Sequence, residues 1–484
     1  MEFTYITHSK PIIFWARPFS IRAKWDVTYI NINVSVWKFS VSMQFHSNMS
    51  DYLPVEIIIE ILKRLPVISI IRCRSVCKSW WSLISTPFFI TTHLNFSLSK
   101  TQNQLLLHRY DLNFRKHRFT LHSSDDPFPR DHFTKHLNFS DPEIHTRLLS
   151  LDQEIEEKGG FFAYPLDFIE LRCCSINKLS TIVGSSNGLL CFTDCFFPIS
   201  YVIWNPSIFK AIDVPPISRK SRSFSYRPAS HGFGYDPVTE DYKLVRVLFC
   251  NYGRSPKVEM YTIRTGKWRN IDTTWKLFPS KSVYVIGKEG ISIVVNRAFH
   301  WMVKTKTGKG KENSRNIIVV FDIGTEEFAE FTVPKSLEGE EQLINMSLAV
   351  VDGLLALVPC NLYAQEEECY SVWVMREYGV AESWTKLLDI DVGEGEGNIN
   401  IDIDVHEEEE EGLGRVVGFT KNGIVFTKDE DLLSYEPSSR RTLNPHIRGQ
   451  PESFYMNTYV ESLVLLNKAD GEDSSEWSKW RGFF

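Results

Sequence analysis

The sequence predicts a small all-α domain followed by an all-β propeller, and three observations support this prediction. Apolar residues recur at helical spacing between Leu53 and Leu94. Beyond that segment, short strands alternate with Asn-Gly, Asp-Gly and Asn-Pro turns. A turn-and-strand unit then returns at a period of about 55 residues, which is typical of the blades of a propeller.

The helical segment contains two apolar stripes. The first stripe follows Pro54, which suits the first turn of a helix, and ends at the Leu65-Pro66 dipeptide. Its members are Ile57, Ile58, Ile61, Leu62 and Leu65. The second run ends at Thr86-Pro87, and its members are Ile70, Ile71, Val76, Trp80, Leu83 and Ile84. A segment of about forty residues cannot bury both stripes by itself, so we expect part of this surface to bind another protein.

The same segment closely resembles the F-box. The family pattern has two Leu-Pro pairs around an acidic-apolar helix, then a Ser-led helix, a Val-Cys-Lys-x-Trp motif, and Leu-Ile and Pro-x-Phe pairs. The matching residues are Leu53-Pro54, Glu60-Ile61-Leu62, Leu65-Pro66, Ser69, Val76-Cys77-Lys78-Ser79-Trp80, Leu83-Ile84 and Pro87-Phe88-Phe89. Two positions depart from the pattern. Ile68 stands where Lys is usual, which removes a rim charge, and Cys73 stands where Phe is usual, which removes core volume.

The resemblance implies that this domain binds a Skp-type adaptor and, through it, a cullin. We expect the adaptor to contact the apolar stripes and the residues beside them. The predicted adaptor-binding residues are Leu53, Pro54, Ile57, Ile61, Leu62, Leu65, Pro66, Ile70, Val76, Cys77 and Trp80.

Five repeats are visible in the rest of the chain. Their turn-and-strand units are marked by Gly188, Tyr242, Ala298, Gly353 and Gly423, at spacings of 54, 56, 55 and 70 residues. An aromatic set recurs between the markers and is expected to pack between blades: Trp204, Tyr261, Phe321, Trp373 and Tyr435. Strand-like pieces at 104–108 and 114–121 begin a sixth blade, which Tyr459 to Leu466 would close. Six blades are therefore favoured, with seven as the alternative.

These repeats resemble the F-box-associated, kelch-like domain of a large plant family. The resemblance runs from about Thr101 to Lys468, and the order of the short matches makes it specific. They include Ser186-Asn187-Gly188-Leu189-Leu190, Trp204-Asn205-Pro206, Gly232 to Pro237, Asp241-Tyr242-Lys243, His300-Trp301, Phe321-Asp322, Trp373 to Gly379, Glu382 to Lys386 and Tyr459 to Leu463. The resemblance implies that this domain captures a protein substrate.

Composition limits the classes of function. The 484-residue chain has a formal net charge of -6, which gives nucleic-acid binding no support, and no apolar run reaches the length of about 18 residues that a membrane span needs. The nine cysteines are scattered and form no CxxC pair. We therefore expect reduced thiols in an intracellular protein, located in the cytoplasm, the nucleus or both.

Two motifs could carry chemistry, and a structural interpretation is favoured for each. Gly184 to Gly188 fits the G-x-S-x-G pattern of hydrolases, but its Asn-Gly turn and following strand indicate a hairpin. His132, His136 and His145 lie in a proline-interrupted segment that reads as a loop, without ordered partners for a metal. We expect no catalytic residue, no metal site and no cofactor.

Two charged segments are expected to be loops between strands. Ten acidic residues and no Lys or Arg occur from Asp391 to Glu411, and such a run repels itself. Five basic residues lie between Lys304 and Arg315, with Glu312 as the only acidic residue among them.

Residues 1–48 fit poorly with the rest and are expected to be unstructured or absent from the native protein. Met49 directly precedes Ser-Asp-Tyr-Leu-Pro, where a protein of this family is expected to begin, so we expect the native chain to start there. A weak organelle-targeting extension is the alternative. The predicted domains are thus an extension at 1–48, an F-box at 49–95, a kelch-like propeller at 96–468 and a tail at 469–484.

Together these observations predict the substrate-recognition subunit of a Skp/cullin/F-box ubiquitin ligase. Such a receptor is not an enzyme, because it accelerates transfer by holding a substrate lysine near a conjugating enzyme bound elsewhere in the complex. The alternatives are an F-box scaffold or regulator outside a ligase and, in third place, a propeller enzyme or lectin. The sequence does not name the protein substrate.

Overall fold

The computed structural model divides the chain into two units. The helical unit contains Met1–Thr101, Ser207–Lys210 and Val460–Phe484, and the propeller unit contains Gln102–Pro206 and Ala211–Tyr459. The residues described are 5–7, 10–12, 28–34, 37–43, 54–100, 104–113, 116–123, 128, 135–137, 180–194, 201–215, 226–250, 257–271, 283–285, 292–306, 314–337, 345–360, 369–391, 416–421, 423–428 and 430–467.

Two antiparallel hairpins precede the helices. Their strands are β1 (Tyr5–Thr7), β2 (Lys10–Ile12), β3 (Thr28–Val34) and β4 (Trp37–Met43). The structure describes strands in these segments, and the expectation that residues 1–48 are unstructured or absent from the native protein stays a prediction. The signal was the alternation of apolar and polar residues in β3 and β4, whose register pairs Ile30 with Val41 and Ile32 with Phe39.

Four helices follow. They are α1 (Val55–Leu62), α2 (Val67–Cys73), α3 (Lys78–Ile84) and α4 (Pro87–Lys100). Proline begins three of them: Pro54 and Pro66 are N-cap residues, and Pro87 is the first residue of α4. Helix α4 continues past residue 95, the predicted end of the F-box.

The second predicted helical run is two helices, because Cys77 interrupts it. This residue has an extended backbone (φ -158°, ψ 164°), and its Sγ accepts a hydrogen bond from the Trp80 amide at 3.5 Å. A thiol is an uncommon cap, so the sequence pattern alone did not reveal the break.

The helices enclose a compact apolar core. Its members are Leu62, Leu65, Val67, Ile70, Cys73, Ile84, Phe89, Ile90 and Leu94. His93 is also buried, and its Nε2 donates to the Leu65 carbonyl oxygen at 3.1 Å. Burial lowers the pKa of His93, so the ring remains neutral near neutral pH.

The propeller unit is a ring of six antiparallel blades, and its strands in chain order are as follows. Strands β5 (Gln104–Asp111), β6 (Lys116–Ser123) and β7 (Lys135–Leu137) belong to blade 6. Blade 1 contains β8 (Ser180–Ser186), β9 (Leu189–Asp194), β10 (Tyr201–Asn205) and β11 (Lys210–Val214). Blade 2 contains β12 (Tyr226–Asp236), β13 (Asp241–Cys250), β14 (Lys257–Thr262) and β15 (Lys267–Ile271).

The remaining blades follow the same order. Blade 3 contains β16 (Val283–Val285), β17 (Ile293–Val295), β18 (Ala298–Lys306), β19 (Ser314–Asp322) and β20 (Phe328–Thr332), with β16 and β17 both paired to β18. Blade 4 contains β21 (Asn345–Val351), β22 (Leu354–Cys360), β23 (Cys369–Met375) and β24 (Trp384–Asp391). Blade 5 contains β25 (Val416–Phe419), β26 (Ile424–Lys428), β27 (Asp431–Glu436) and β28 (Arg441–Arg448).

The last strand, β29 (Tyr455–Thr458), pairs with β5 and completes blade 6. The two ends of the domain therefore close the ring, as predicted, but the closing strand was misplaced. Tyr459 to Leu466 is buried irregular chain, in which Leu465 has a φ of 75°. The apolar run at 459–466 resembles a strand more than the polar sequence of β29 does. Burial rather than strand pairing explains the apolar composition of that run.

The predicted aromatic set packs between neighbouring blades. Trp204 belongs to a cluster with Phe119 of blade 6, and Phe321 lies in a cluster with Val258 of blade 2. Tyr435 packs with Val372 of blade 4. Trp373 is partly buried against the cluster of blades 3 and 4, and Tyr261 is buried with its ring 5.6 Å from that of Trp268. The interpretation of this set as inter-blade packing is confirmed for the four rings in these clusters.

A buried ion network joins blades 2 and 3. Lys243 Nζ lies 2.9 Å from Asp236 Oδ2 and 2.9 Å from Glu326 Oε1, and it donates to the Ile323 carbonyl oxygen at 2.6 Å. Asp236 and Lys243 are both buried. Burial alone would raise the pKa of Asp236, but hydrogen bonds from Lys243, Thr239 and the Val238 amide bring it below its usual value. Through Lys243, the Asp241-Tyr242-Lys243 motif therefore stabilises the contact between blades 2 and 3 rather than forming a reactive site.

Candidate docking site on the helical unit

The structure describes ten of the eleven predicted adaptor-binding residues, and they fall into three groups. Leu53 lies outside the described residues. Pro54, Ile61 and Cys77 are exposed, and four residues are half-buried: Ile57, Pro66, Val76 and Trp80. The other three, Leu62, Leu65 and Ile70, are buried in the helical unit. Because these three side chains are buried, they are not exposed to a partner in this structure, and their assignment to the docking surface stays a prediction.

Five further apolar side chains are exposed that were not among the predicted adaptor-binding residues. They are Val55, Ile68, Trp81, Phe88 and Leu98. Trp81 is 55% exposed and Phe88 is 65% exposed. The Trp80-Trp81 pair was the available signal, but only the packed helices show that Trp81 is the more exposed member. The Arg74 guanidinium lies 5.4 Å from the Trp81 ring centroid and orients that ring from one side.

We call five of these exposed residues the docking face, as the candidate surface for a partner. It consists of Val55, Ile61, Ile68, Trp81 and Phe88, contributed by α1, α2, α3 and α4. Five large apolar side chains exposed on four short helices are typical of a surface that another protein covers. Aromatic side chains such as Trp81 are also the residue types that most often dominate binding energy at interfaces.

The two cysteines of this unit have different environments. Cys73 is buried, and burial raises the pKa of its thiol to about 11. It fills a core position, as expected for the site where the family pattern has Phe. Cys77 is exposed at the start of α3, where its Sγ also lies 3.1 Å from Ser79 Oγ.

The two motifs that could have carried chemistry are structural in the propeller. Ser186 ends β8, and Asn187 and Gly188 form the turn to β9 with φ values of 51° and 81°. This is the two-residue turn of a hairpin and not the strand-to-helix corner that a nucleophilic serine needs. The prediction of a hairpin is confirmed.

The histidine segment contains a strand rather than only a loop. His136 lies on β7 and pairs in register with Thr120, whereas His132 and His145 lie outside the described residues. Among the residues that the structure describes, no group of three or more His, Cys, Asp or Glu could hold a metal ion. Within that same part of the chain, no helix is long and apolar enough to cross a membrane. Residues 392–411 of the acidic segment and 307–313 of the basic one also lie outside it.

Four helices followed by a six-bladed propeller are the two parts that the resemblance to F-box proteins predicts. Comparisons with known families agree: residues 50–97 match the F-box-like family, and residues 147–465 match the F-box associated beta propeller domain family. The chain belongs to the F-box associated beta propeller family.

Three known proteins illustrate the similarity. F-box protein CPR1 of Arabidopsis thaliana is 24% identical, over 86% of this chain and 90% of that protein. An F-box/kelch-repeat protein of Arabidopsis thaliana is 28% identical, over 70% of this chain and 79% of that protein. The solved beta-propeller domain of the Trilobed protease from Pyrococcus furiosus is 9% identical with a TM-score of 0.29, over 71% of this chain and 80% of that chain. A likeness at that level carries no functional argument.

Proposed function

We propose that this protein is the substrate-recognition subunit of a Skp/cullin/F-box ubiquitin ligase. The observation that supports the proposal is the docking face, because its five apolar side chains remain exposed while nine other apolar residues of the same helical segment are buried. In this proposal a Skp-type adaptor covers that face and links the protein to a cullin.

The propeller supplies the substrate-binding part of the proposal. Its blades are held by continuous apolar clusters and by pairing between β5 and β29, so the ring is a rigid frame. Loops on a rigid frame can vary in sequence without loss of the fold, which suits recognition of a specific protein. The partner captured there is a protein substrate that the residues described do not identify.

The chain acts in this proposal without an active site of its own. A receptor increases the rate of transfer by holding the substrate lysine near the charged conjugating enzyme, which replaces a bimolecular encounter by an intramolecular one. We further propose that the protein works in the cytoplasm, the nucleus or both, where the other ligase subunits would meet it.

The docking part is tested by co-purification with a Skp-type adaptor. Trp81→Ala together with Phe88→Ala is expected to weaken binding by more than about thirtyfold, because each removes a large apolar anchor. The matched control is Leu387→Ala together with Leu443→Ala, which removes two exposed apolar side chains of the propeller. Equal binding by both double variants, or no adaptor binding by the unmodified chain, would refute the docking face.

The ligase part needs a second measurement. The adaptor should bring a cullin into the same complex, and the complex should transfer ubiquitin to a protein that the propeller unit binds. An F-box scaffold acting outside a ligase would bind the adaptor without the cullin. That result would leave the docking face in place and overturn the ligase assignment.

A further inference from the structure

Three cations surround one aromatic ring at the end of α4. Lys63 Nζ lies 5.7 Å from the Phe96 ring centroid, the Arg64 guanidinium carbon 5.5 Å, and Lys100 Nζ 4.4 Å. We call these four residues the Phe96 cluster. The ring attracts each cation, but three like charges that all lie within 5.7 Å of one ring centroid also repel one another. An anion bound among them would relieve that repulsion.

Only one carboxylate balances this cluster within the described part of the chain. Glu60 accepts hydrogen bonds from Lys63 Nζ and from Arg64, with the Arg64 Nη1 to Glu60 Oε2 distance at 2.6 Å. Side-chain hydrogen bonds from Lys63 and Arg64 lower the pKa of Glu60, so it is fully ionised at neutral pH. Among the described residues, Lys100 has no carboxylate partner. The cluster therefore keeps a net positive charge.

The charge of the whole helical segment has the same sign. Residues 54–100 contain six basic residues and two acidic ones, although the complete chain has a net charge of -6. The basic residues are Lys63, Arg64, Arg72, Arg74, Lys78 and Lys100. A local excess opposite in sign to that of the chain indicates a surface that attracts a negatively charged partner.

The Phe96 cluster continues the docking face. Ile61 and Arg64 are three residues apart at the end of α1, a spacing that places them on one side of the chain there, and both are exposed. A partner that covers Ile61 would thus reach the cations next to it. We propose that the Phe96 cluster binds a carboxylate-rich segment of the adaptor, at the edge of the apolar contact. This inference rests on the proposed function.

A protein segment fits this site better than a nucleic acid does. A phosphate backbone is bound by cations spread along its length, whereas three of these cations converge on one ring. The neighbouring exposed groups are apolar side chains, which a protein can cover. Charges at the edge of an interface chiefly change the rate of association and its dependence on salt, since they act before the apolar groups make contact.

The test compares two charge reversals in the full chain. Arg64→Glu with Lys100→Glu changes the cluster, and Lys267→Glu with Lys335→Glu changes net charge equally on exposed residues of the propeller. Association with a recombinant Skp-type adaptor is measured at low and high salt. We expect the cluster variant to associate about tenfold more slowly at low salt, with little difference at high salt, and the control to resemble the unmodified chain. Thermal unfolding of both variants checks the fold.

The outcomes separate this inference from the proposed function. If the adaptor does not bind the unmodified chain, the proposed function fails. If the adaptor binds and the two double variants associate at the same rate, only the inference about the cluster fails. Two further results would also overturn the inference about the cluster. The first is faster association after neutral replacement of the acidic residues in 394–411, because it would show that the chain's own acidic run occupies the cluster. The second is tighter binding of duplex DNA than of a polyglutamate peptide.

Discussion

The helical unit and the propeller use tryptophan in opposite ways. Trp204 is 1% exposed and lies against Phe119, with ring centroids 5.3 Å apart, in a cluster shared by two blades. Trp81 is 55% exposed beside Arg74. A closed ring gives every blade two neighbours, so a large residue that faces another blade can be covered. A segment of about fifty residues has too little volume to cover all its apolar side chains, and those left over are available for a partner.

Lysine shows the same contrast. In the propeller, Lys243 is buried with two carboxylates and bridges two blades. In the helical unit, Lys100 is exposed at the last position of α4. A charge can be buried only where the fold supplies its partners, and the propeller does so because its blades face each other.

The largest expected effect comes from breaking the buried ion network. Lys243→Met should lower the free energy of unfolding of the propeller by about 3–5 kcal/mol, because Asp236 would keep its charge without its partner. Adding Asp236→Leu should restore part of that loss. Urea unfolding of the single and double variants measures both values. A single variant as stable as the unmodified chain would mean that the network does not hold the blades together.

The tryptophan contrast predicts two separable phenotypes. Trp204→Ala should cost roughly 3–5 kcal/mol of stability, because it empties a packed inter-blade site. Trp81→Ala should change stability by less than about 0.5 kcal/mol, as is usual for surface positions. When adaptor binding is measured on folded protein, Trp81→Ala should weaken it more than Trp204→Ala does. Equal loss of stability in both variants would remove the distinction between the two regions.

Buried histidine makes the stability of the propeller depend on pH. Burial lowers the pKa of His300 to about 4, where its Nδ1 donates to the Ile293 carbonyl oxygen and its Nε2 accepts from Tyr378. The unfolded chain binds the proton more tightly, so this stability is complete above about pH 6.5 and is lost as pH falls toward 4. The loss from His300 should be roughly 3 kcal/mol.

His300→Gln tests this assignment, because its side chain does not titrate. The variant should show a shallower decrease of stability between about pH 6.5 and 4 than the unmodified chain does. The residual slope should come from groups such as His231, whose pKa is lowered by burial to about 3. Identical pH profiles would exclude His300 as a contributor.

The smallest effect concerns the two thiols of the helical unit. Cys77 is exposed and should react with iodoacetamide in the folded protein. Cys73 should not react, because burial both blocks access and raises the pKa of its thiol to about 11. Mass spectrometry measures the labelling of both cysteines in the native chain, and a urea-unfolded sample serves as the control. Labelling of Cys73 in folded protein would contradict the packing of α2.

Repetition explains why the architecture could be predicted from sequence. Each blade repeats a turn and an aromatic strand, so Gly188 and Gly353 at equivalent hairpin turns give the period without knowledge of any contact. The polar sequence of β29 gives no such signal, because its pairing with β5 depends on residues some 350 positions earlier in the chain. Its boundaries were therefore missed although ring closure was expected.

For the docking face, the sequence determined which kind of residue is present and at what helical spacing. It showed that the segment from Leu53 to Leu94 has more apolar groups than it can bury. Only the tertiary structure decided that Leu62 and Ile70 are core residues, while Ile61 and Trp81 face outward. The physical reason is that periodicity places residues on a common side of a helix, whereas burial depends on which other helix packs against that side.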